Sequence, residues 1–210
     1  MECLAITKEE AKKMIDNLKD NKIQIQIICN GKESGRVPLK YVEVGETICN
    51  GKYVVVEHFE DGTSGIVKKE AITPGVRFGE TNKWFASDLF TYLNRDYLKE
   101  IDKDFDIQNV VTHTVDMLSM DGDNTYGVCR CVVSAMTFDR WRKYHKYIGE
   151  ADSTEWLSTP NQTEKANDTR YVQVVGSSGG VDCGVCCWDG CGVRPFFILK
   201  SSILVSIDKT

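Results

Sequence analysis

The sequence predicts an α+β fold in which a sheet is assembled from segments that lie far apart along the chain. Amphipathic helical patterns fall in the middle of the 210 residues, and strand-like patterns with tight turns fall towards both ends. Composition is that of a folded protein, since 41% of the residues are hydrophobic, 27% are charged and only four are proline. The length allows one domain with a full core and a small appendage.

Residues 1–42 form the predicted appendage, a short helix followed by a hairpin. Thr7 and Glu10 have the spacing of a capping box, and the apolar residues that follow share one helical face. Three segments predict the hairpin: the alternating residues 23–27, the turn Asn30-Gly31 and a return through residues 36–39.

Residues 43–210 form the predicted main domain, which opens with a second hairpin. Thr47 to Phe59 is strand-like with a turn at Asn50-Gly51, Asp61-Gly62 is the next turn, and Gly65 to Lys69 returns. Ser87 is a predicted N-cap for a helix that carries Leu89, Phe90, Leu93, Tyr97 and Ile101 inward.

A second helix is predicted from about Thr137 to Ile148, and short strands fill the C-terminal part. The basic residues of that helix fit its solvent-facing side: Arg140, Arg142, Lys143, His145 and Lys146. The predicted strands are 172–175, 181–188, 193–199 and 203–207.

Charge and hydropathy argue against nucleic-acid and membrane partners. The formal net charge is −5 with both signs interspersed, which lacks the basic footprint of a nucleic-acid-binding protein. No apolar run approaches the roughly 18 residues of a membrane span, and the N-terminus lacks a signal-peptide core. We therefore expect synthesis in the cytoplasm and nine reduced cysteines, with export on a phage particle as the exception.

Three motifs in a fixed order resemble an uncharacterised bacterial and phage domain family. They are Trp84 to Asn94, Glu155 to Pro160 and Gly192 to Leu199. Relatives of that family include formylglycine-generating-enzyme-like domains and the variable target proteins of diversity-generating retroelements. The resemblance covers roughly residues 45–207, and it departs at Ser158-Thr159, where the family has arginine and serine before the proline.

The resemblance implies a C-type-lectin-like domain that binds a ligand and is not an enzyme. In this interpretation Trp84, Leu93, Trp156, Arg194 and Pro195 hold the fold, and the segment between Trp156 and Gly192 displays contact residues. The ligand is a protein or a glycan, bound without a cofactor in a receptor-binding or adhesin-like role. The predicted contact residues are Tyr171, Asp182, Cys183, Cys186, Trp188 and Asp189.

Two other functions stay open at this point. A metal-dependent oxidoreductase-like enzyme would use the cysteine cluster, which we define as Cys183, Cys186, Cys187 and Cys191; only one Cys-x2-Cys pair has the spacing of a zinc site. Small hydrophobic packing is the commoner role of such thiols. In a purely structural subunit, residues 1–42 would mediate formation of a homo-oligomer.

The remaining chemical motifs indicate structure more strongly than function. Asp121-Gly122-Asp123 begins like a calcium loop but departs from the EF-hand pattern at Thr125, so a turn with Asx hydrogen bonds is expected. His113 lies in a strand-like run, where packing is the usual role. A Cys–His nucleophile pair would require partners that meet only in the fold.

Overall fold

A computed structural model describes residues 36–73 and 76–207. The described chain is a mixed α+β fold with short, antiparallel sheets, as the sequence predicted. The strands are β1 (Arg36–Pro38), β2 (Thr47–Ile48), β3 (Tyr53–His58), β4 (Thr63–Lys68), β5 (Val110–Val111), β6 (His113–Asp116), β7 (Val128–Cys131), β8 (Val133–Ala135), β9 (Glu155–Pro160), β10 (Tyr171–Val175), β11 (Val181–Val185), β12 (Pro195–Lys200) and β13 (Leu204–Ser206). The helices are α1 (Asp88–Arg95), α2 (Leu98–Phe105) and α3 (Phe138–Ile148).

A six-stranded sheet forms the centre of the fold. Its strand order is β2-β3-β4-β12-β5, and β8 also pairs with β12. The strand β12 pairs with β4, which lies more than a hundred residues earlier in the chain, and also with β5 and β8, which confirms that the sheet is assembled from distant segments. Its first hairpin follows the predicted turns, since Asn50 and Gly51 adopt positive φ values of 57° and 73°, and Gly62 adopts 81°.

The central sheet is buried on both faces because the helices cover opposite sides. On β3, Tyr53 and Val55 pack in the same cluster as residues of α1 and α2, whereas Val54 and Val56 pack in a second cluster beneath α3. This alternation is the period-2 pattern of a strand with two buried faces.

The predicted helix after Ser87 is two helices, because the chain breaks at Asp96 and Tyr97. The Ser87 hydroxyl accepts a hydrogen bond from the Phe90 backbone N–H at 2.9 Å, which confirms the predicted N-cap. Leu89, Leu93 and Ile101 face the core as predicted, each fully buried.

The helix α3 matches its predicted bounds, and Thr137 caps it through a hydrogen bond from the Arg140 N–H. Four of its five basic residues are exposed as expected. Arg140 differs: its guanidinium lies 4.4 Å from the centre of the Phe196 ring and donates to the Thr114 carbonyl at 2.8 Å. The solvent-facing prediction is therefore wrong for this arginine, since its position at the start of α3 directs it onto the sheet.

The two ends of the described fold meet, because β1 pairs antiparallel with β13. Leu39 and Val42, which follow β1, are buried in the main core. Residues 36–42 thus pack with the main domain, although the sequence groups them with the appendage. The helix predicted from Thr7 and the alternating residues 23–27 lie outside the described residues, and the predicted boundary at residue 42 stays a prediction.

Residues from the three motifs of the family resemblance lie inside the fold. Trp84, Leu93, Trp156, Arg194 and Pro195 are all buried. The Trp156 indole N–H donates to the Val76 carbonyl at 3.1 Å, and its ring packs edge-on against Phe78. Their burial gives each a packing role in this fold.

Candidate functional site

The region with the predicted contact residues is a three-stranded antiparallel sheet and the loop that leaves it. The strand order is β11-β10-β9, so β11 lies at an edge. Tyr171 pairs with Val185 and Val174 pairs with Asp182. Tyr171 and Asp182 therefore lie three residue positions apart along this hairpin, roughly 10 Å at the usual rise per residue, and their side chains point to opposite faces of it.

Gly184 holds the edge strand close to the core. A Cβ atom at this position would lie 2.8 Å from Cζ3 of Trp156 and 2.9 Å from Cγ1 of Val174. These distances are shorter than any ordinary carbon contact, so only glycine lets β11 approach the indole this closely. The buried Trp156 ring thus fixes the position of the strand that leads into the loop.

The loop is anchored at both ends by buried cysteines. The Cys186 N–H donates to the Arg170 carbonyl at 2.8 Å, and its thiol faces the Thr169 carbonyl at 3.8 Å. Cys186 and Cys191 are 1% and 4% exposed, whereas every residue between them is exposed. We call the exposed residues Cys187, Trp188, Asp189 and Gly190 the display loop. The two flanking cysteines act as small hydrophobic anchors, the packing role expected of a free thiol.

The predicted contact residues differ in their exposure. Trp188 is 57% exposed, and Asp182 and Asp189 are also at the surface. Tyr171 and Cys183 are half-buried. Cys186 is buried, so the prediction that it is displayed is wrong: β11 ends at Val185, and the next side chain packs inward.

A surface depression adjoins the display loop. Its volume is about 470 Å³, and a second hollow of about 370 Å³ shares Asp189 and Gly190 with it. The first is lined by Glu70, Ala71, Thr73, Asp152, Ser153, Asp189 and Gly190. The second is lined by Thr154, Trp188, Asp189, Gly190 and Cys191. We call the two together the acidic depression.

Sequence reasoning missed Glu70, Asp152 and Thr154. Glu70 follows β4 and Asp152 precedes β9, so more than eighty residues separate them along the chain. They meet because Ile72 pairs with Val193 and Glu155 pairs with Gly192. Neither carboxylate belongs to a motif, and only the fold brings them to the display loop.

The floor of the acidic depression is held by the segment that follows the loop. A Cβ atom on Gly192 would lie 3.0 Å from Cγ2 of Thr73 and 3.1 Å from the Ser153 hydroxyl. Next to it, the Arg194 Nε donates to Oε2 of Glu155 at 2.8 Å, and its Nη1 donates to the Ile148 carbonyl at 2.9 Å. The Gly192-Val193-Arg194-Pro195 motif thus supports the depression from below without lining it.

The cysteine cluster does not converge on one point in the described chain. Across residues 36–73 and 76–207, no group of three or more His, Cys, Asp or Glu side chains has the arrangement to hold a metal ion. Two of the four thiols are buried anchors, one is half-buried and one is exposed.

The Asp121–Asp123 segment is a turn closed by its own hydrogen bonds, as expected. Oδ1 of Asp123 accepts from the Thr125 N–H at 3.1 Å and from the Thr125 hydroxyl at 2.8 Å, and Oδ2 accepts from the Thr163 hydroxyl. These hydrogen bonds, Thr163 first, lower the pKa of Asp123. The carboxylate is therefore engaged in pinning the turn to Thr163.

A cysteine and a histidine do meet in the fold, across the β6–β7 pair. Cys131 Sγ lies 3.8 Å from Nε2 of His113, and the same nitrogen lies 3.0 Å from the Ser134 hydroxyl. Burial raises the pKa of Cys131 to about 12, and it lowers the pKa of His113 to about 3. Both groups are therefore neutral at pH 7, which is the opposite of the thiolate–imidazolium state of a nucleophilic pair.

Comparison with known proteins identifies no relative of this chain. No protein-family model matches the chain, and no curated protein or solved structure shows significant similarity to it. In the part of the chain that the structure describes, no helix is both long and apolar enough to cross a membrane.

Proposed function

We propose that this protein is a non-catalytic binding module that holds a protein or glycan ligand on its display loop. The proposal rests on the exposure of Trp188: 57% of its surface is accessible, and it lines the smaller hollow, of about 370 Å³. Exposed tryptophan is uncommon on a surface that contacts only water, and it is among the residues that contribute most binding energy at interfaces.

The display loop is anchored at both ends, as a preorganised binding site requires. Trp188 lies between the buried anchors Cys186 and Cys191, and its backbone N–H donates to the Val185 carbonyl at 3.0 Å. A short, anchored loop loses less conformational entropy on binding than a free one. Asp189, which lines the same hollow as Trp188, supplies an additional contact beside this aromatic anchor. Tyr171 and Cys183 share one face of the β10-β11 hairpin and Asp182 lies on the other, so these two sets serve different sides of the hairpin.

The family resemblance extends this proposal to a biological setting. We propose a C-type-lectin-like domain of the retroelement-target type, phage-encoded and virion-associated or adhesin-like, whose loop residues vary between copies. The arrangement of buried motif residues beneath an exposed loop supports this proposal, because such a scaffold tolerates changes in the loop. The metal-dependent enzyme alternative has less support, since the thiols of the cysteine cluster do not converge in the described part of the chain.

The test is a binding screen with a matched pair of variants. Immobilised glycan and peptide panels are probed with the wild type, Trp188→Ala and Tyr41→Ala; Tyr41 is 69% exposed and lines neither hollow. A ligand of this site should bind the wild type and Tyr41→Ala equally and bind Trp188→Ala at least roughly tenfold more weakly. A ligand that ignores Trp188→Ala would refute the display loop as the binding site.

A further inference from the structure

The acidic depression has a charge pattern that selects among ligands. Three carboxylate side chains line its larger hollow, from Glu70, Asp152 and Asp189, and they come from three separate parts of the chain. Among the described residues that line it, none is a lysine, arginine or histidine. Carboxylates that line a hollow with no basic residue among them give it a negative potential, which favours a cationic ligand.

A buried carboxylate, that of Glu155, follows directly in the chain after Ser153 and Thr154, which line the acidic depression. The Glu155 side chain is 2% exposed; Oε2 binds Arg194, whereas Oε1 is buried and accepts no hydrogen bond from the described residues. Burial raises the pKa of Glu155, Arg194 lowers it, and the carboxylates of Asp152 and Glu70 raise it again. Glu155 therefore lies within electrostatic reach of two residues that line the depression.

A second unpartnered group belongs to Ser153, a residue that lines the acidic depression. The Ser153 hydroxyl lines the depression and is buried, and no described residue hydrogen-bonds to it. Buried polar atoms are nearly always partnered in folded proteins. Of the two groups only the Ser153 hydroxyl belongs to a residue that lines the hollow, and it can accept a hydrogen bond from a ligand there.

We propose that the acidic depression binds the cationic end of a lysine or arginine side chain from a protein partner, with its aliphatic stem against the Trp188 indole. This inference rests on the proposed binding function and narrows its ligand to a basic segment of a protein. An ammonium or guanidinium brings several N–H donors and a positive charge, and both pack well on an aromatic face. Trp188 lines the smaller hollow, which shares Asp189 and Gly190 with the larger one, so a side chain in the larger hollow can extend past the indole.

A basic side chain fits better than a metal ion because the carboxylates do not converge. A divalent cation needs several oxygens within about 2.6 Å, and the described residues contain no acidic group of that kind. An organic cation forms its hydrogen bonds one donor at a time, so it can span separated carboxylates.

The experiment titrates the full-length protein with three capped pentapeptides that differ only in their central residue. Gly-Gly-Arg-Gly-Gly and Gly-Gly-Lys-Gly-Gly carry the charge, and a citrulline peptide is the neutral isostere of the arginine one. Tryptophan fluorescence reports binding, since Trp188 is the most exposed of the four tryptophans. We expect the arginine peptide to bind at least roughly fivefold more tightly than the citrulline peptide.

A matched pair of double variants locates the effect. Glu70→Gln/Asp152→Asn removes two negative charges from the depression, and Glu43→Gln/Glu60→Gln removes two from exposed residues that do not line it. The first should weaken arginine-peptide binding roughly tenfold, and the second should change the Kd by less than about twofold. All four positions are exposed, so both variants should melt like the wild type.

Each of the other possible outcomes contradicts a specific part of this proposal. Equal binding of the arginine and citrulline peptides, or equal weakening by both double variants, refutes the cation site. Tighter binding of free spermidine than of either peptide refutes a protein as its source. If a neutral ligand from the screen depends on Trp188 and ignores Glu70→Gln/Asp152→Asn, the binding function stands and this inference fails.

Discussion

Arg194 and Glu155 form an ion pair in the interior of the fold, with Nε and Oε2 2.8 Å apart and both side chains 2% exposed. The arginine also donates to the carbonyls of Ile148 and Gly149 at the end of α3. One buried guanidinium thus ties the helix to the strand β9 and to the segment beneath the display loop. Such a pair is costly to break, because the remaining charge stays buried.

Replacing Arg194 should therefore destabilise the fold strongly and in a pH-dependent way. Arg194→Met leaves Glu155 without its partner, with an expected loss of about 3 kcal/mol at pH 8. Burial raises the pKa of Glu155 above its ordinary 4.5. Its protonated form is thus favoured in the folded state, so the loss should shrink as the pH falls towards 4.5.

Urea unfolding at pH 8, 6.5 and 5 measures this change. Arg142→Met is the matched control, because Arg142 pairs with Asp139 on the exposed side of α3 and should contribute less than about 1 kcal/mol. A loss for Arg194→Met that is the same at all three pH values would contradict the role given to Glu155.

His113 should make the wild type sensitive to acid. Burial first, then Arg140, lowers its folded pKa from 6.5 to about 3. The unfolded chain therefore binds a proton that the folded chain does not, and stability is lost as the pH falls from 6.5 towards 3. The size of this contribution is on the order of 4 kcal/mol across that range.

The measurement compares unfolding free energies between pH 7 and 4 for the wild type, His113→Gln and His145→Gln. The His113 variant should lose less stability on acidification than the wild type, whatever its starting value. His145 is exposed on α3, so its variant should follow the wild type. Parallel pH curves for all three proteins would show that His113 does not contribute.

A methyl group at Gly184 should disturb the edge strand. In Gly184→Ala the added carbon would lie within 3 Å of both Trp156 and Val174, and the expected cost is about 2 kcal/mol. Gly180→Ala is the control in the same hairpin, because its nearest neighbour is the Ser178 hydroxyl at 3.8 Å. Thermal melts of the two should differ by several degrees, and equal melts would show that Trp156 shifts to make room.

The thiols should separate into two kinetic classes under alkylation. Cys187 is exposed and should react with iodoacetamide in the native protein within minutes. Burial raises the pKa of Cys186 and of Cys131 to about 12, so both should react only after unfolding. Mass spectrometry of the peptides assigns each site, and native labelling of Cys186 would show that the loop anchor opens in solution.

Local signals predicted the elements that local chemistry determines. The Asn50-Gly51 turn, the Ser87 cap and the helix after Thr137 each depend on residues within one turn of one another, and each was found. The strands β7, β8 and β9 were not predicted: β7 and β8 are only four and three residues long, and β8 and β9 are buried at every position, so no alternation marks them. The partners of β7 and β8, which are β6 and β12, lie elsewhere in the chain.

The candidate site was predictable only in part, because local signals do not show which distant residues meet in the fold. Trp188 and Asp189 were predicted as contact residues because they lie in the segment between Trp156 and Gly192, which the family resemblance assigns to ligand contacts. Glu70 and Asp152 have no sequence signal that links them, and the pairing of Ile72 with Val193 is what brings the first of them to the loop. Cys186 was misplaced because exposure within a loop depends on which residues terminate the strand.

Because β12 pairs with three strands that precede it, the central sheet can fold only late in synthesis. Until residue 200 has left the ribosome, β4, β5 and β8 have no common partner. The hairpin formed by β3 and β4 then keeps an apolar edge open for most of translation, a state prone to association with other chains. Slowed synthesis before residue 195 would prolong that exposure and lower the yield.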